Sequence, residues 1–122
     1  MIDSLLKPKV LIPLLLLLTV VFIQIFRDVD FADPQELKQF VADGALLIDV
    51  RSPQEYATQH LQEAINIPIN DLENRLQMLG KKDQKIIVYC RSGRRSTRAR
   101  SLLLTHGFKE VYNLGGMNRW SQ

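Results

Sequence analysis

The chain has 122 residues, a formal net charge of +3 and a single cysteine, and this length suits one domain of about 100–150 residues with a short extension. One cysteine excludes an internal disulfide and a cysteine-cluster zinc site, and two histidines without motif spacing argue against any other metal site. The net charge is too small to indicate nucleic acid by itself, and no sequence feature indicates a cofactor.

The N-terminus contains a long apolar segment. Residues 10–26, VLIPLLLLLTVVFIQIF, carry no charge and follow Lys7 and Lys9. A membrane-spanning helix needs about 17–25 apolar residues, and the segment lacks the cleavage site of a secretory signal peptide, the main alternative. We therefore predict a single-pass membrane anchor over 1–27 and a separate domain over 28–122. The lysines before the span favour a cytoplasmic N-terminus, which places the domain on the periplasmic or extracytoplasmic side.

Two helix starts flank the first predicted strand. The run DPQE over 33–36 supplies a capping side chain and then a proline at the first helical position, and Gly44 ends this helix. The continuous apolar run ALLIDV over 45–50 is typical of a buried parallel strand. The run SPQE over 52–55 repeats the capping pattern and predicts a second short helix.

The middle of the chain predicts two more strands and one helix. A short strand over 64–68 ends in proline, and Asn70 or Asp71 is predicted to cap the helix that follows. The apolar run KIIVY over 85–89 predicts a second buried strand, with Cys90 at its C-terminal end.

The last third of the chain continues the alternation. A helix is predicted from about Ser96 to His106, then a strand over 110–114 and a final turn that ends at Trp120. Strands and helices that alternate at these lengths predict an α/β fold, with a central parallel sheet and helices on both faces. In such sheets, sites form beyond the carboxyl ends of the strands, which makes Cys90 a candidate site residue.

The residues around Cys90 indicate a reactive cysteine. The segment YCRSGRRSTRA spans 89–99, and five of the nine arginines lie over 91–100. Cations and a helix N-terminus stabilise the thiolate, which is the reactive form of cysteine. A loop between a strand and a helix can turn several backbone N–H groups inward and bind an anion, and Gly93 permits the backbone angles that a tight loop needs. We predict a nucleophilic Cys90 and an anionic substrate.

Three other interpretations compete with this one. A lone cysteine at a strand end can be a small buried hydrophobe. Arg94 and Arg98 lie one helical turn apart and could form a patch for anionic lipid or nucleic acid, but no interleaved aromatics support base stacking. Cysteine phosphatases and the arsenate-reductase class use Cys-x5-Arg, whereas here Ser96 stands at that position and the arginine, Arg95, comes one residue earlier. The shorter loop suits one sulfur atom better than a phosphate.

Three stretches in this order resemble the rhodanese family in its single-domain form: LLIDVRSPQEYATQHLQEAINIPI over 46–69, IIVYCRSGRRSTRA over 86–99 and NLGGMNRW over 113–120. The resemblance implies an α/β fold with a central parallel sheet. It also implies transfer of a sulfane sulfur, from a small thiosulfate-like anion to a thiol or cyanide acceptor, through a persulfide on Cys90. The alternative is a membrane-tethered rhodanese-like module that binds a partner protein or a sulfur carrier without turnover.

The resemblance also assigns residues. Cys90 is the nucleophile and persulfide carrier, and the loop that follows it binds the substrate. The implied substrate-binding residues are Arg91, Ser92, Gly93, Arg94 and Arg95, with Arg51 lining the pocket.

Four further residues match the family pattern and are interpreted as scaffold. Asp49 belongs with Arg51 to the family's Asp-x-Arg motif, and Glu55 is first of all a helix cap. His60 is expected to be a hydrogen-bonded scaffold histidine, and Trp120 is expected to pack rather than to recognise a ligand.

Overall fold

The structure, a computed structural model, describes residues 2–27 and 31–121. The chain forms two compact units, Met1–Asp30 and Phe31–Gln122. The first unit contains two helices, α1 (Ile2–Leu5) and α2 (Pro8–Arg27).

Helix α2 contains most of the predicted anchor. Its 18-residue window Pro8–Ile25 has a mean hydropathy of 2.2, and none of that window is buried. By length and composition α2 can cross a membrane, a property that signal sequences and some core helices share.

The second unit is built on a four-stranded parallel sheet, which confirms the predicted fold class. The strand order is β2-β1-β3-β4, so β1 and β3 lie at the centre. The strands are β1 (Leu46–Asp49), β2 (Ile65–Asn66), β3 (Lys85–Cys90) and β4 (Glu110–Gly116). The helices are α3 (Pro34–Ala42), α4 (Pro53–Thr58), α5 (Ile69–Leu72), α6 (Arg94–Thr105) and two 3₁₀ helices, Glu73–Leu79 and Met117–Ser121.

Side chains of β3 alternate between two hydrophobic clusters, one on each face of the sheet. Val88 and Cys90 point into the cluster that α5 and α6 cover, whereas Ile87 and Tyr89 point into the cluster that α3 covers. This alternation follows from the period of two in a β-strand. It places the Cys90 side chain between β3 and the start of α6.

Local signals predicted two of the helix starts correctly. The Asp33 carboxylate accepts a hydrogen bond from the backbone N–H of Gln35 at 3.1 Å, directly before α3. Ser52 and Glu55 form a reciprocal capping box at the start of α4. Both caps depend only on neighbouring residues, so the sequence contains all the information that they need.

The structure corrects the predicted cap at Asn70 or Asp71. Helix α5 begins at Ile69 after Pro68, without a side-chain cap. The Ile69 N–H instead donates to the carbonyl of Val50, the residue after β1, at 3.1 Å. This hydrogen bond holds the start of the helix. Other boundaries also differ from the prediction: β2 covers only Ile65–Asn66 of the predicted 64–68, and the helix after it continues as a 3₁₀ helix over Glu73–Leu79. Helix α6 begins at Arg94, two residues before the predicted start, and β4 continues to Gly116.

Candidate active site

Cys90 lies at the carboxyl end of β3, next to a very short loop. Gly116 of β4 is its register partner, and α6 begins four residues after Cys90, at Arg94. Gly93 makes this turn possible, because its φ of +98° lies in the left-handed region that favours glycine. The N–H groups of Gly93 and of Ser96, in the first turn of α6, point to the sulfur.

Hydrogen-bond donors surround the Cys90 sulfur, which is fully buried. The Gly93 amide nitrogen donates to Sγ at 3.0 Å and the Ser96 amide nitrogen at 3.4 Å, whereas the thiol itself donates to the Ser96 hydroxyl oxygen at 3.5 Å. Burial raises the pKa of the Cys90 thiol, but the hydrogen bonds from the Ser96 hydroxyl and from the Ser96, Gly93 and Ser92 amides outweigh it and bring the pKa below its ordinary value. The site therefore stabilises a thiolate through contacting dipoles.

Ser96 is a site residue that the sequence analysis used only to exclude a phosphatase loop. Its buried hydroxyl lies 3.1 Å from the Gly93 carbonyl as well as 3.5 Å from Sγ. A hydroxyl has one proton and two acceptor lone pairs. Ser96 can therefore accept from the thiol while it donates to Gly93, and it can donate to the thiolate once the proton has left. The sequence signal that could have identified Ser96 is its position six residues after the cysteine, in the first turn of a helix.

Asp49 and Arg51 form a buried pair at the carboxyl end of β1. The Arg51 Nη2 lies 2.7 Å from Asp49 Oδ2, and the same guanidinium donates to the Gln59 carbonyl. The hydrogen bond to Asp49 raises the pKa of Arg51 above its ordinary value. These contacts occupy most of the guanidinium donors, while Arg51 also lines a cavity beside the loop. Its predicted contact with substrate stays a prediction.

Glu55 binds Arg95, in the first turn of α6, in addition to capping α4. The two side chains form a two-point ion pair, with N–O distances of 2.6 and 3.0 Å. Hydrogen bonding to Arg95 is the main cause that lowers the pKa of Glu55 to about 2. The partners are 40 residues apart in sequence, so no local sequence pattern predicts the contact. The pair ties α4 to the start of α6.

The remaining arginines of the loop region are exposed. Within 2–27 and 31–121, Arg91, Arg94 and Arg98 make no ion pair with a carboxylate. They line two cavities beside the loop, so their charges are available to an anion. One cavity, of about 310 Å³, is lined by Ser92, Arg94, Arg95 and Arg98. The other, of about 400 Å³, is lined by Arg51, Glu55, Thr58, Gln59, Arg91 and Met117.

His60 and Trp120 take part in packing. The His60 ring stacks on Tyr56 with 3.8 Å between ring centroids, and its Nδ1 lies 2.8 Å from the Tyr56 carbonyl oxygen. Trp120 packs against the cluster that contains Leu37. Neither residue lines the two cavities beside the loop.

Comparisons with known proteins agree with this geometry. The model of the rhodanese-like domain family matches residues 33–122. The chain is 37% identical over 101 residues to the mitochondrial protein HIGH ARSENIC CONTENT 1 of Arabidopsis thaliana, a match that covers 74% of this chain but only 60% of that protein. It is 39% identical over 71 residues to the thiosulfate sulfurtransferase PspE of Escherichia coli, covering 57% of this chain and 68% of the relative.

A solved structure gives the same result. The human single-domain sulfurtransferase TSTD1 superposes with a TM-score of 0.68 at 30% identity, covering 75% of this chain and 93% of the human chain. Both the fold and the sequence therefore connect the chain with sulfurtransferases. The chain belongs to the rhodanese-like domain family.

Proposed function

We propose that this protein is a membrane-anchored sulfurtransferase that carries a sulfane sulfur as a persulfide on Cys90. The observation that carries the proposal is the set of polar groups around Sγ at 3.0–3.5 Å: the Gly93 and Ser96 amides donate to the sulfur, and the Ser96 hydroxyl can donate to it once the thiol has ionised. Such donors favour a thiolate and also suit the terminal sulfur of a persulfide, which is likewise anionic. The names of E. coli PspE and human TSTD1 support the same activity.

The first half-reaction loads the cysteine. The Cys90 thiolate attacks the sulfane sulfur of a thiosulfate-like anion, a new S–S bond forms, and sulfite leaves with the electron pair of the broken bond. Arg91 and Arg94 attract the dianionic donor to the exposed side of the loop. The backbone amides of Arg91, Ser92, Gly93, Arg94 and Arg95 form the cradle in which the persulfide is held.

The second half-reaction transfers the sulfur from Cys90 to the acceptor. A cyanide ion or a thiolate attacks the outer sulfur of the persulfide, which leaves as thiocyanate or as a new persulfide. Cys90 departs as a thiolate, the form that its hydrogen bonds stabilise. This ping-pong cycle needs no metal and no additional oxidant.

Helix α2 supplies the attachment. Its length and hydropathy fit a single membrane span, with residues 1–27 as anchor and 28–122 as the catalytic domain. Lys7 and Lys9 favour a cytoplasmic N-terminus and thus a domain on the periplasmic or extracytoplasmic side.

The test measures the intact mass of the full chain in detergent after incubation with thiosulfate and removal of the excess. We expect a gain of one sulfur atom that is lost on adding cyanide and is absent in Cys90→Ser. If folded, reduced protein gains no sulfur from thiosulfate or from other sulfane donors, the sulfurtransferase is overturned in favour of the tethered binding module. Turnover of a phosphate ester or arsenate by the same sample would instead point to the phosphatase or arsenate-reductase class.

A further inference from the structure

Phe31 lies against the glycine of the catalytic loop. A Cβ added at Gly93 would lie 2.8 Å from Cε1 of Phe31, and one added at Gly115 would lie 2.9 Å from Cγ of the same ring. Both glycines also have positive φ angles, +98° and +87°. The ring therefore occupies space that any other residue at these two positions would need, and it touches the loop at the residue whose N–H donates to Sγ.

The backbone around Phe31 is held by β4 and the residues after it. The Ala32 N–H donates to the Asn113 carbonyl at 2.8 Å, and Arg119 donates to the Ala32 carbonyl at 3.3 Å. The Arg119 guanidinium also lies 5.1 Å from the centroid of the Phe31 ring, within the range of a cation–π contact. These contacts fix the position of Phe31 relative to β4 and Arg119.

A hydrogen-bond relay links the same strand to the loop. The Asn113 amide donates to the Thr97 hydroxyl at 3.0 Å, and that hydroxyl donates to the Gly93 carbonyl at 2.7 Å. The relay holds the Gly93 carbonyl in place, whereas the Gly93 N–H is held by its hydrogen bond to Sγ. The Phe31 ring packs on this glycine, in the space that a Cβ would occupy.

We propose that Phe31 is a positioning residue of the sulfur-transfer site, whose ring holds the Gly93 N–H against the Cys90 sulfur. Removal of the ring would leave a cavity beside a glycine, the residue with the greatest conformational freedom. The N–H could then turn away from Sγ, and the thiolate would lose one of its donors. The inference rests on the proposed function, in which Cys90 is the nucleophile.

The experiment is a titration of the thiolate by its ultraviolet absorbance, on the full chain in detergent. The chain has one cysteine, so the signal, after subtraction of the Cys90→Ser titration, belongs to a single site. We expect Phe31→Ala to raise the midpoint by about one pH unit, the equivalent of one hydrogen bond to a charged group. Phe31→Leu keeps most of the apolar volume, so its midpoint should stay close to that of the parent chain.

Phe40→Ala is the matched control, because Phe40 is a half-buried phenylalanine that packs on Tyr112 with 4.9 Å between ring centroids. It should lose stability without moving the midpoint. An unchanged midpoint in folded Phe31→Ala, or an equal shift in Phe40→Ala, overturns the proposal. If Phe31→Ala does not fold, Phe31→Val decides by the same criterion. The titration reads the thiol directly, so a failure of sulfur transfer would not be mistaken for a failure of this inference.

Discussion

The hydroxyl of Ser96 stands between the Cys90 sulfur, 3.5 Å away, and the Gly93 carbonyl oxygen, 3.1 Å away. Both side chains are fully buried. Once the thiol has ionised, the hydroxyl can donate to the sulfur instead of to the carbonyl. The hydroxyl can therefore hydrogen-bond to Cys90 both as a thiol and as a thiolate.

Replacement of this serine tests its contribution. We expect Ser96→Ala to raise the pKa of the Cys90 thiol by about one unit, because a hydrogen bond to a charged group contributes about 1.5–3 kcal/mol. The rate of sulfur loading near neutral pH should fall about tenfold and recover as the pH rises. The pH profile of loading measures this, with Ser101→Ala, on the exposed side of α6, as the control. A loss of rate that is equal at every pH would contradict the role.

The exposed arginines should strengthen the binding of the anionic sulfur donor. Arg94→Gln is expected to raise the KM for thiosulfate about two- to fivefold with little change in kcat, because one partly screened charge contact is worth about 0.5–1 kcal/mol. The effect should shrink as salt is added. Steady-state kinetics at low and high salt measure it. Lys81→Gln removes the same charge from an exposed position before β3, and an equal effect there would assign the change to net charge alone.

The Glu55–Arg95 ion pair should show itself in the pH dependence of stability. Arg95 lowers the pKa of Glu55 to about 2, so the stabilisation is present above the ordinary glutamate pKa and is lost as the pH falls towards 2. The pair is about one-third exposed, which limits its contribution to about 1 kcal/mol.

Glu55→Gln should therefore be less stable than the parent at neutral pH, and the difference should vanish near pH 2. Urea unfolding of the full chain, followed by the fluorescence of Trp120, the single tryptophan, measures this difference. A difference that persists unchanged at the acid end would mean that the carboxylate charge is not the cause.

The buried Asp49–Arg51 pair should matter far more for folding. Asp49→Asn leaves the Arg51 guanidinium, 6% exposed, without its counter-charge, and the loss of one partner of a buried pair costs about 3–5 kcal/mol. The same unfolding assay measures the loss. Asp71→Asn breaks the exposed contact with Arg75, whose N–O distance is 4.0 Å, and should cost less than about 0.5 kcal/mol. Similar losses in the two variants would contradict the assignment.

The sequence predicted those features that depend on neighbouring residues. The alternation of apolar runs and helix starts was sufficient for the parallel sheet, and the Ser52–Glu55 capping box follows from residues three apart. Cys90 was placed correctly at the end of β3, because a continuous apolar run leads directly into it.

The contacts that the sequence analysis missed join distant segments. The Glu55–Arg95 pair spans 40 residues, and the start of α5 at Ile69 depends on the Val50 carbonyl. Phe31 contacts Gly93 and Gly115 from a segment with no motif of its own. Such contacts are set by how strands and helices pack, and a pattern of period two or 3.6 carries no information about them.

The glycines and the arginines around Cys90 differ in how freely evolution can alter them. A side chain at Gly116 would meet the Arg91 carbonyl oxygen at 2.7 Å, and Gly93 and Gly115 are equally restricted, so the sulfur cradle admits almost no variation. Arg94 and Arg98 point outward and support no buried contact. Surface substitutions at these arginines can therefore change the charge beside the loop while the glycines that shape the loop stay the same.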